Sequence, residues 1–344
     1  MISDGYRAAL ALAFQTSQSL ETTVSITVNF ITLVLHFIQH AQLMITPPSL
    51  KPGDLIRIIA PSGKVRLEHV MAAAGLLRNL GFQVIEGRHL YSEFHQLAGE
   101  DAERIHDLQQ ALDDNQCKAI LMARGGYGLL RIIDRVDFSR FMQHPKWIAG
   151  FSDITVLHSH LHNLGIETIH SVMPNSFPAN STADEPVACL MKALSGEPLN
   201  YSLAPHALNR QGTASGIITG GNLTMLTSLL GSDSAINTQG KILFLEDVGE
   251  YLYRIDRMMH TLKRAGLLDH LTGLVVGCFN DMLDGSTPFG KTAREIIAEA
   301  VTGYDYPVAF GFPAGHEPDN RPLILGRNTR LMVKPDSATI HQSS

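Results

Sequence analysis

The sequence predicts an α/β protein with two domains. Its 344 residues exceed the usual length of one domain, and 44% of them are hydrophobic, which is enough for two buried cores. From Leu55 onward, short apolar runs alternate with segments of helical periodicity. Nearly continuous apolar strands separated by helices are typical of a parallel sheet covered on both faces. We therefore expect an N-terminal domain of the parallel-sheet Rossmann or flavodoxin-like class.

The N-terminal domain is predicted to span residues 44–175. Its strands are the apolar runs at 55–60, 82–87, 119–123 and 147–149. The first helix is indicated by apolar residues at helical spacing, Val70, Ala73 and Leu77. Ligands of parallel sheets bind beyond the carboxyl ends of the strands. The segment RGGYG after the third strand and Ser152 after the fourth should therefore lie at one edge of the sheet.

A turn-rich segment, residues 176–215, predicts a linker to the second domain. That domain is predicted over residues 216–335. Its strands are expected at 241–247, 273–279 and 306–312, with helices around 254–264 and 293–300. The alternation of strands and helices implies a second mixed α/β domain.

Composition and charge exclude several classes of partner. Only 17% of the residues are charged and the net charge is -6, so the chain offers no general attraction for the backbone of nucleic acids. Cys117, Cys189 and Cys278 are widely spaced and form no C-x-x-C pair, so neither a disulfide framework nor a zinc site is indicated. We expect a small or uncharged partner and a location in the reducing cytoplasm.

The first 43 residues differ from the rest of the chain. Residues 24–38 form an apolar run interrupted by Asn29 and His36, which is too short and too polar for a membrane span of about 20 apolar residues. A basic start and a small-residue cleavage site, the features of a signal peptide, are not evident. We expect the functional chain to begin near Met44, residues 1–43 to be an extension outside the fold, and no stable membrane association.

Ser152 follows the apolar run WIAG and precedes the helical pattern DITVLHSHL. One interpretation is an N-cap, because a serine before a helix can bond the first free N–H groups. The other is a nucleophile elbow, in which a tight strand-to-helix turn lifts the hydroxyl into a cleft. The local sequence GFSDI lacks the second glycine of the G-x-S-x-G motif, so both interpretations stay open.

A serine nucleophile needs a histidine base and a carboxylate that orients the histidine. Glu246 follows the apolar run ILFL, where an acid reaches the tip of a strand, and the adjacent Asp247 is an alternative acid. His316 lies in the loop FGFPAGHEPDN after the apolar run PVAF and is the candidate base. A solvated strand end and a surface histidine are the structural alternatives at these positions.

An oxyanion site needs two backbone N–H donors where negative charge develops. Gly125 and Gly126 after the AILMA strand, together with the amide of Asp153, are the candidate donors. A phosphate loop is an alternative interpretation of RGGYG, but the segment matches neither G-x-G-x-x-G nor G-x-x-x-x-G-K-[ST]. A plain structural turn also stays open.

Two further motifs have weaker support. His158 and His162 have the i, i+4 spacing of zinc ligands on a helix face, but the motif H-E-x-x-H and an obvious third ligand are missing, so no metal is expected. The segment Gly220-Gly221-Asn222 opens a helix whose N-terminus could receive a carboxylate, although a helix cap explains Asn222 nearly as well.

Six segments occur in the order found in one family of serine peptidases. They are GDLIRIIAPSG, ARGGYG, AGFSDIT, GGNL, LFLEDV with YRIDRM following, and GFPAGH. Over residues 52–334 the chain resembles the LD-carboxypeptidases, also called muramoyltetrapeptide carboxypeptidases. The resemblance implies that Ser152 is the nucleophile, that Glu246 rather than Asp247 is the acid, and that His316 is the base.

The same resemblance implies the oxyanion donors, part of the fold and the reaction. The donors are the backbone amides of Gly126 and Asp153, and the C-terminal domain is built around a small β-barrel. The reaction is removal of the terminal D-alanine from a murein tetrapeptide in cytoplasmic cell-wall recycling, with no metal or organic cofactor. Substrate contacts are expected from Arg124, Gly125 and Asn222, with Arg124 the nearest cation for a terminal carboxylate. A homodimer is left open.

Two alternatives are kept beside this prediction. Members of the same family resemble immunity peptidases that act on peptide-nucleotide antibiotics, whose pocket would need an aromatic platform for the base. The single tryptophan, Trp147, lies in a predicted buried strand and is poorly placed for that task. The other alternative is a non-catalytic peptide-binding protein that retained the cleft.

Overall fold

The computed structural model describes residues 44–178 and 183–343. The predicted extension at residues 1–43, including the apolar run at 24–38, lies outside the described residues. Within the described ranges, no helix combines the length and the apolar character needed to cross a membrane.

The elements of the described chain alternate between strands and helices. The strands are β1 (Leu55–Ile59), β2 (Gln83–Glu86), β3 (Cys117–Met122), β4 (Trp147–Gly150), β5 (Thr168–His170), β6 (Leu199–Leu203), β7 (Gly212–Asn222), β8 (Ile242–Val248), β9 (Gly273–Asn280), β10 (Val308–Phe310), β11 (Leu323–Leu325), β12 (Asn328–Val333) and β13 (Ala338–Gln342). The α-helices are α1 (Leu67–Asn79), α2 (Asp101–Asp113), α3 (Ser139–Gln143), α4 (Thr155–Asn163), α5 (Glu185–Ser195), α6 (Leu223–Ser228), α7 (Leu252–Arg264) and α8 (Ala293–Ala300).

The first sheet has the strand order β11-β5-β4-β3-β1-β2. Strands β1 to β5 run parallel, and β11 is added to β5 in the antiparallel direction. The order β2-β1-β3-β4-β5 is one of the common orders of doubly wound sheets. The predicted α/β class is confirmed, and β11 shows that the C-terminal part of the chain returns to complete the N-terminal sheet.

Helices cover both faces of the first sheet. Along β3, Ala119 and Leu121 pack into one hydrophobic core with α1 and α5. Ile120 and Met122 pack into a second core with α2 and α4. Successive strand residues point to opposite faces, and here both faces are buried. This is why the run AILM is apolar at every position.

The second sheet has the strand order β10-β9-β8-β7-β12-β13-β6. Strands β7 to β10 run parallel, whereas β12, β13 and β6 are antiparallel to their neighbours. Strand β7 joins the two parts, because its first half pairs with β12 and its second half pairs with β8. The second sheet is therefore mixed.

The small β-barrel expected for the C-terminal domain is not found as a closed barrel among the described strands. The sheet ends at β10 on one side and at β6 on the other. A single antiparallel bridge, Arg210 to Val308, joins a residue ahead of β7 to β10. Closure requires a continuous ladder around the sheet, and one bridge does not supply it. An open mixed sheet takes the place of the expected barrel.

The two sheets deliver the predicted site residues at strand ends. Strands β3 and β4 lead into the RGGYG segment and to Ser152. In the second sheet, β8 carries Glu246 near its carboxyl end, and β10 leads into the loop that holds His316. Carboxyl ends of parallel strands are where such sheets bind ligands.

Candidate active site

Ser152 occupies a sharp turn between β4 and α4. Its φ angle is +66°, a left-handed conformation that a non-glycine residue adopts only where the surrounding structure enforces it. The turn continues as a 3₁₀ helix, Ser152–Ile154, and then as α4, and neither helix has a side-chain N-cap bond. The position therefore has the geometry of a strand-to-helix elbow, and the Ser152 hydroxyl does not cap the helix.

Ser152, His316 and Glu246 form a continuous line of hydrogen bonds. His316 Nε2 lies 3.1 Å from Ser152 Oγ, and His316 Nδ1 lies 2.8 Å from Glu246 Oε2. The Glu246 side chain is fully buried, while that of His316 is 22% exposed. Folding thus brings together three predicted residues from the β4–α4 turn, from β8 and from the loop after β10.

The loop before His316 allows a close approach to Glu246. A Cβ atom at Gly315 would lie 2.7 Å from Glu246 Oε2, so a side chain there would displace the carboxylate. Asn320 Oδ1 accepts a hydrogen bond from Gly315 N at 3.0 Å, and Asn280 Nδ2 donates to His316 O at 3.0 Å. These bonds hold the imidazole between the acid and the serine.

The surroundings of His316 favour its protonated form. Burial lowers the pKa of His316, but the hydrogen bond to Glu246 and the negative charges of Glu246, Asp247 and Asp281 together outweigh burial. The pKa is therefore raised from the ordinary value of 6.5. With its Nδ1–H donated to the carboxylate, the neutral imidazole presents Nε2 to Ser152 as a proton acceptor.

The RGGYG segment lies directly against Ser152. A Cβ atom at Gly125 would lie 2.8 Å from Ser152 Cβ and 3.1 Å from Ser152 Oγ. Gly126 has a φ angle of +101°. Among the described residues, neither the Gly126 amide nor the Asp153 amide donates to a protein acceptor. Both amides are therefore available as donors, since Asp153 follows Ser152 in the chain and Gly126 follows Gly125, which packs against Ser152.

A cavity of about 150 Å³ opens at Ser152. Its walls include the predicted residues Gly126, Asp153 and Asn222. Two acids, Asp247 and Glu250, also line it, and its described lining contains neither lysine nor arginine. The ionisable side chains of the lining are therefore acidic, and one of them, Glu250, is paired with Arg254 Nη1 of α7 at 3.4 Å.

Asp247, the alternative acid, is hydrogen-bonded to α6 rather than to His316. Its Oδ2 accepts from Thr224 N at 2.9 Å and from Thr224 Oγ1 at 2.8 Å, and its Oδ1 accepts from Asn222 Nδ2 at 3.0 Å. Burial, with the neighbouring charge of Glu246, raises the pKa of Asp247 to about 6. Adjacent strand residues point to opposite faces, so the chain presents one of the two acids to the imidazole.

Asn222 is engaged within the protein although it lines the cavity. Its Oδ1 accepts from Met225 N at 3.1 Å and thereby caps α6, while its Nδ2 donates to Asp247. Its backbone amide donates to Thr155 Oγ1 at 3.0 Å. The helix-cap interpretation therefore accounts for the contacts of this side chain.

The side chains of Asp153 and Arg104, to which the sequence analysis assigned no role, stabilise the backbone around the site. Asp153 Oδ2 accepts from Ser62 Oγ at 2.6 Å and from Leu129 N at 2.9 Å, and burial raises the pKa of Asp153 despite these bonds. Arg104 of α2 is buried and donates to Gly128 O at 3.0 Å, at the end of the RGGYG segment. These bonds fix the backbone around both free amides.

Arg124 lies outside the cavity at Ser152. Its exposed side chain donates from Nη1 to Lys64 O at 2.8 Å. It lines a separate cavity of about 330 Å³. The structure therefore brings the RGGYG backbone to Ser152 while directing the Arg124 side chain into a neighbouring space.

The histidine pair of α4 lies in the protein core. His158 Nε2 is 2.8 Å from Gly150 O, and His162 Nε2 is 2.7 Å from Lys241 Nζ. Burial lowers the pKa of His158 to about 4 and, with the charge of Lys241, that of His162 to about 3. In the described chain, the group close enough together to hold a metal ion is instead His89, His106 and Asp107, which is not part of the cavity at Ser152.

Comparison with protein families matches both halves of the chain. Residues 56–171 match the LD-carboxypeptidase N-terminal domain, and residues 215–331 match the LD-carboxypeptidase C-terminal domain. The two matches contain Ser152 and Glu246 as well as His316. They cover most of both sheets and leave out β6 and β13 of the second sheet.

Individual proteins of known name are similar over most of the chain. A probable murein peptide carboxypeptidase of Bacillus subtilis is 33% identical, covering 86% of this chain and 93% of that protein. The murein tetrapeptide carboxypeptidase of Pseudomonas aeruginosa is 28% identical, covering 80% and 92%. The crystal structure of a muramoyltetrapeptide carboxypeptidase from Oxalobacter formigenes superposes with a TM-score of 0.77 at 26% identity, covering 84% of this chain and 99% of that one.

Proposed function

The chain belongs to the LD-carboxypeptidase family, and from that premise we propose that it is a serine carboxypeptidase with the triad Ser152, His316 and Glu246. The observation that carries the proposal is the unbroken line of hydrogen bonds from a buried carboxylate through an imidazole to a strained serine. Nucleophile, base and orienting acid in this geometry are the requirements for acyl transfer.

In the proposed reaction, His316 Nε2 takes the proton of the Ser152 hydroxyl as Oγ attacks the carbonyl carbon of the scissile bond. The bond to the leaving amine then breaks, and His316 returns the proton to that amine. Water, activated by the same imidazole, releases the acyl group from Ser152. Glu246 stabilises the imidazolium that forms in both steps and fixes its orientation.

The amides of Gly126 and Asp153 are the proposed oxyanion donors. Negative charge develops on the carbonyl oxygen during attack, and preorganised N–H groups stabilise it without reorganisation. The bonds that Ser62 and Leu129 make to the Asp153 carboxylate hold one of these amides in place. The loss of one such donor commonly lowers the rate by ~10²–10³.

The proposed substrate is a free murein tetrapeptide, from which the enzyme releases the terminal D-alanine and leaves the tripeptide. The bond cleaved joins an L-centred diamino acid to the D-residue. Support comes from the relatives named for murein tetrapeptide and muramoyltetrapeptide. The acids Asp247 and Glu250 in the cavity at Ser152 suit the ammonium group of a diamino acid side chain.

The cytoplasm is the proposed location of this reaction. Cys117, Cys189 and Cys278 are all free thiols and all buried. Free cysteines are typical of proteins that work in a reducing compartment. Murein peptides released during cell-wall turnover would be met there as soluble fragments.

Product analysis tests the proposed function. Wild-type protein is incubated with free murein tetrapeptide, with the analogue that ends in L-alanine, and with an aminoacyl-nucleotide conjugate, and the products are separated by chromatography. We expect D-alanine and tripeptide from the first and no cleavage of the second. The reason is that a misplacement of about 1 Å at the reacting carbonyl can cost ~10²-fold in rate.

Other outcomes of that experiment would contradict the proposal in different ways. Equal cleavage of the D- and L-terminated peptides would remove the stereochemical claim. Cleavage of the nucleotide conjugate alone would favour an immunity peptidase. Trp147 would not supply the aromatic platform for the nucleotide base, because it is fully buried and donates from Nε1 to Pro48 O at 3.0 Å. Tight binding of the tetrapeptide without turnover would indicate a binding protein.

A further inference from the structure

A second cavity lies beside the RGGYG turn. It has a volume of about 330 Å³ and is lined by Val65, Arg66, His69, Arg124 and Asn175. Its position follows from the chain, because Arg124 directly precedes Gly125, the residue packed against Ser152. The cavity is thus a neighbour of the cavity at Ser152 on the same edge of the first sheet.

The charge of this cavity is positive from three sources. The guanidinium groups of Arg66 and Arg124 line it. Helix α1 begins at Leu67, and its N-cap residue Arg66 provides no side-chain cap bond. The N–H groups of the first turn therefore keep the positive end of a helix of 13 residues beside the two arginines. Glu68 lies in the same turn, but its side chain is exposed and does not line the cavity. Helix N-termini with adjacent arginines bind anions.

Asn175 adds a polar side chain to the wall of this cavity. Its backbone N–H donates to Ala123 O at 3.1 Å, which holds the residue at the carboxyl end of β3. Its side-chain Oδ1 is buried and has no hydrogen-bond partner within the described residues. Asn175 lines the cavity, so the NH₂ group of its side chain can donate to an anion there.

The cavity at Ser152 has the opposite character. Asp247 and Glu250 line it, and lysine and arginine are missing from its described walls. A carboxylate placed there would meet like charges, and like charges across an interface are repulsive. A peptide with both ammonium and carboxylate groups would therefore be oriented by the charges of the two neighbouring cavities.

We propose that the cavity lined by Arg66, Arg124 and Asn175 binds a carboxylate of the peptide substrate while the diamino acid lies at Ser152. The proposal rests on the proposed function and adds the subsite that sets the direction of the peptide. The carboxylate can come from the terminal residue or from a residue before the scissile bond. Bidentate guanidinium contacts suit either source.

The test assays each enzyme variant with each peptide. Arg66→Gln, Arg124→Gln and the double variant are assayed for kcat and KM with the free tetrapeptide. The same enzymes are assayed with peptides in which each carboxylate in turn is replaced by a carboxamide. Binding of every peptide is also measured by calorimetry in the Ser152→Ala background, where chemistry does not contribute.

We expect each arginine variant to raise KM by ~10-fold, as the loss of one charge-assisted hydrogen bond predicts, with kcat changed less than about threefold. With the wild-type enzyme, one of the carboxamide peptides should show the same rise in KM relative to the unmodified tetrapeptide. The double variant should not raise the KM of that peptide further. That peptide identifies the carboxylate. Arg78→Gln, at the opposite end of α1 and about 18 Å along its axis, is the matched control and should leave KM unchanged.

Two results would separate failure of this proposal from failure of the proposed function. Cleavage of the tetrapeptide with an unchanged KM in both arginine variants would overturn the subsite and leave the peptidase intact. Absence of cleavage by the wild-type protein would overturn the proposed function, and calorimetry would then decide the subsite. Equal affinities of all carboxamide peptides for the Ser152→Ala protein would overturn it as well.

Discussion

Replacing Gly125 with alanine tests whether the position of Ser152 controls the rate. The new Cβ atom would lie 2.8 Å from Ser152 Cβ, 3.1 Å from Ser152 Oγ and 3.2 Å from Phe151 O. The φ angle of Gly125 lies outside the left-handed region, so alanine can adopt the backbone conformation. The substitution therefore acts through contact with Ser152 rather than through backbone strain.

The size of the effect follows from the missing space. Carbon atoms pack at about 3.5–4.0 Å, so the serine must move by roughly 0.7–1.2 Å to accommodate the new methyl group. A displacement of about 1 Å at a reacting group costs ~10²-fold in rate. Overpacking of a buried contact also costs about 1–3 kcal/mol in the free energy of unfolding, which leaves the protein folded in the assay.

The assay measures kcat/KM for D-alanine release together with the free energy of unfolding in denaturant. Gly75→Ala is the matched control, because Gly75 lies inside α1 and a Cβ atom there would meet no atom within 4 Å. It should raise the free energy of unfolding by about 0.5–1 kcal/mol and leave the rate unchanged. A Gly125→Ala enzyme with the wild-type rate and normal stability would refute the close approach that we describe.

Three further predictions concern strain, protonation and metal. Ser152→Gly should abolish turnover yet increase the free energy of unfolding by about 1 kcal/mol, because glycine adopts the φ angle of +66° without strain. The free energy of unfolding is measured in denaturant, and a value below that of the wild type would argue against strain at this turn. Because the base must be neutral and the pKa of His316 is raised above 6.5, kcat/KM should rise with pH through a midpoint above 6.5. In Glu246→Gln that midpoint should move to lower pH, because burial lowers the pKa of His316 and the variant loses the charge of Glu246 that raises it. The rate should also fall by ~10⁴, as it does for the corresponding change in another triad. An unmoved midpoint in pH-rate profiles would exclude Glu246 as the orienting acid. A saturating chelator should leave activity intact, and activity lost to the chelator and restored by zinc would show a metal requirement.

The strands of the parallel sheet could be predicted because their signal is local. The run AILM is apolar at every position since both faces of β3 are buried, and the helices between such runs show their own period. Strands β5 and β11 have three residues each, and β13 reads ATIHQ, so neither length nor apolar pattern distinguishes them from loops. Their pairing is set by distant partners, which a local pattern does not contain.

The candidate site was predictable in part for the same reason. Ser152 and His316 lie at ends of apolar runs, where ligands of parallel sheets bind. The choice between Glu246 and Asp247 depends on which of these two adjacent residues of β8 faces His316. The sequence alone does not determine that face. The burial of Arg104 could have been predicted from the sequence, because Arg104 shares a helical face with Leu108 and Leu112. That pattern does not show which carbonyl groups the buried guanidinium will bind.

The central claim is that Ser152 and His316 act as one unit, and a double-mutant cycle tests it most directly. The value of kcat/KM for D-alanine release from the tetrapeptide is measured for the wild type, Ser152→Ala, His316→Ala and the double variant. We expect each single change to lower it by ~10⁴ or more and the double variant to be no slower than the single ones, because removing either member of a unit removes the function of both. Losses that multiply in the double variant, or a Ser152→Ala enzyme with substantial activity, would contradict the triad.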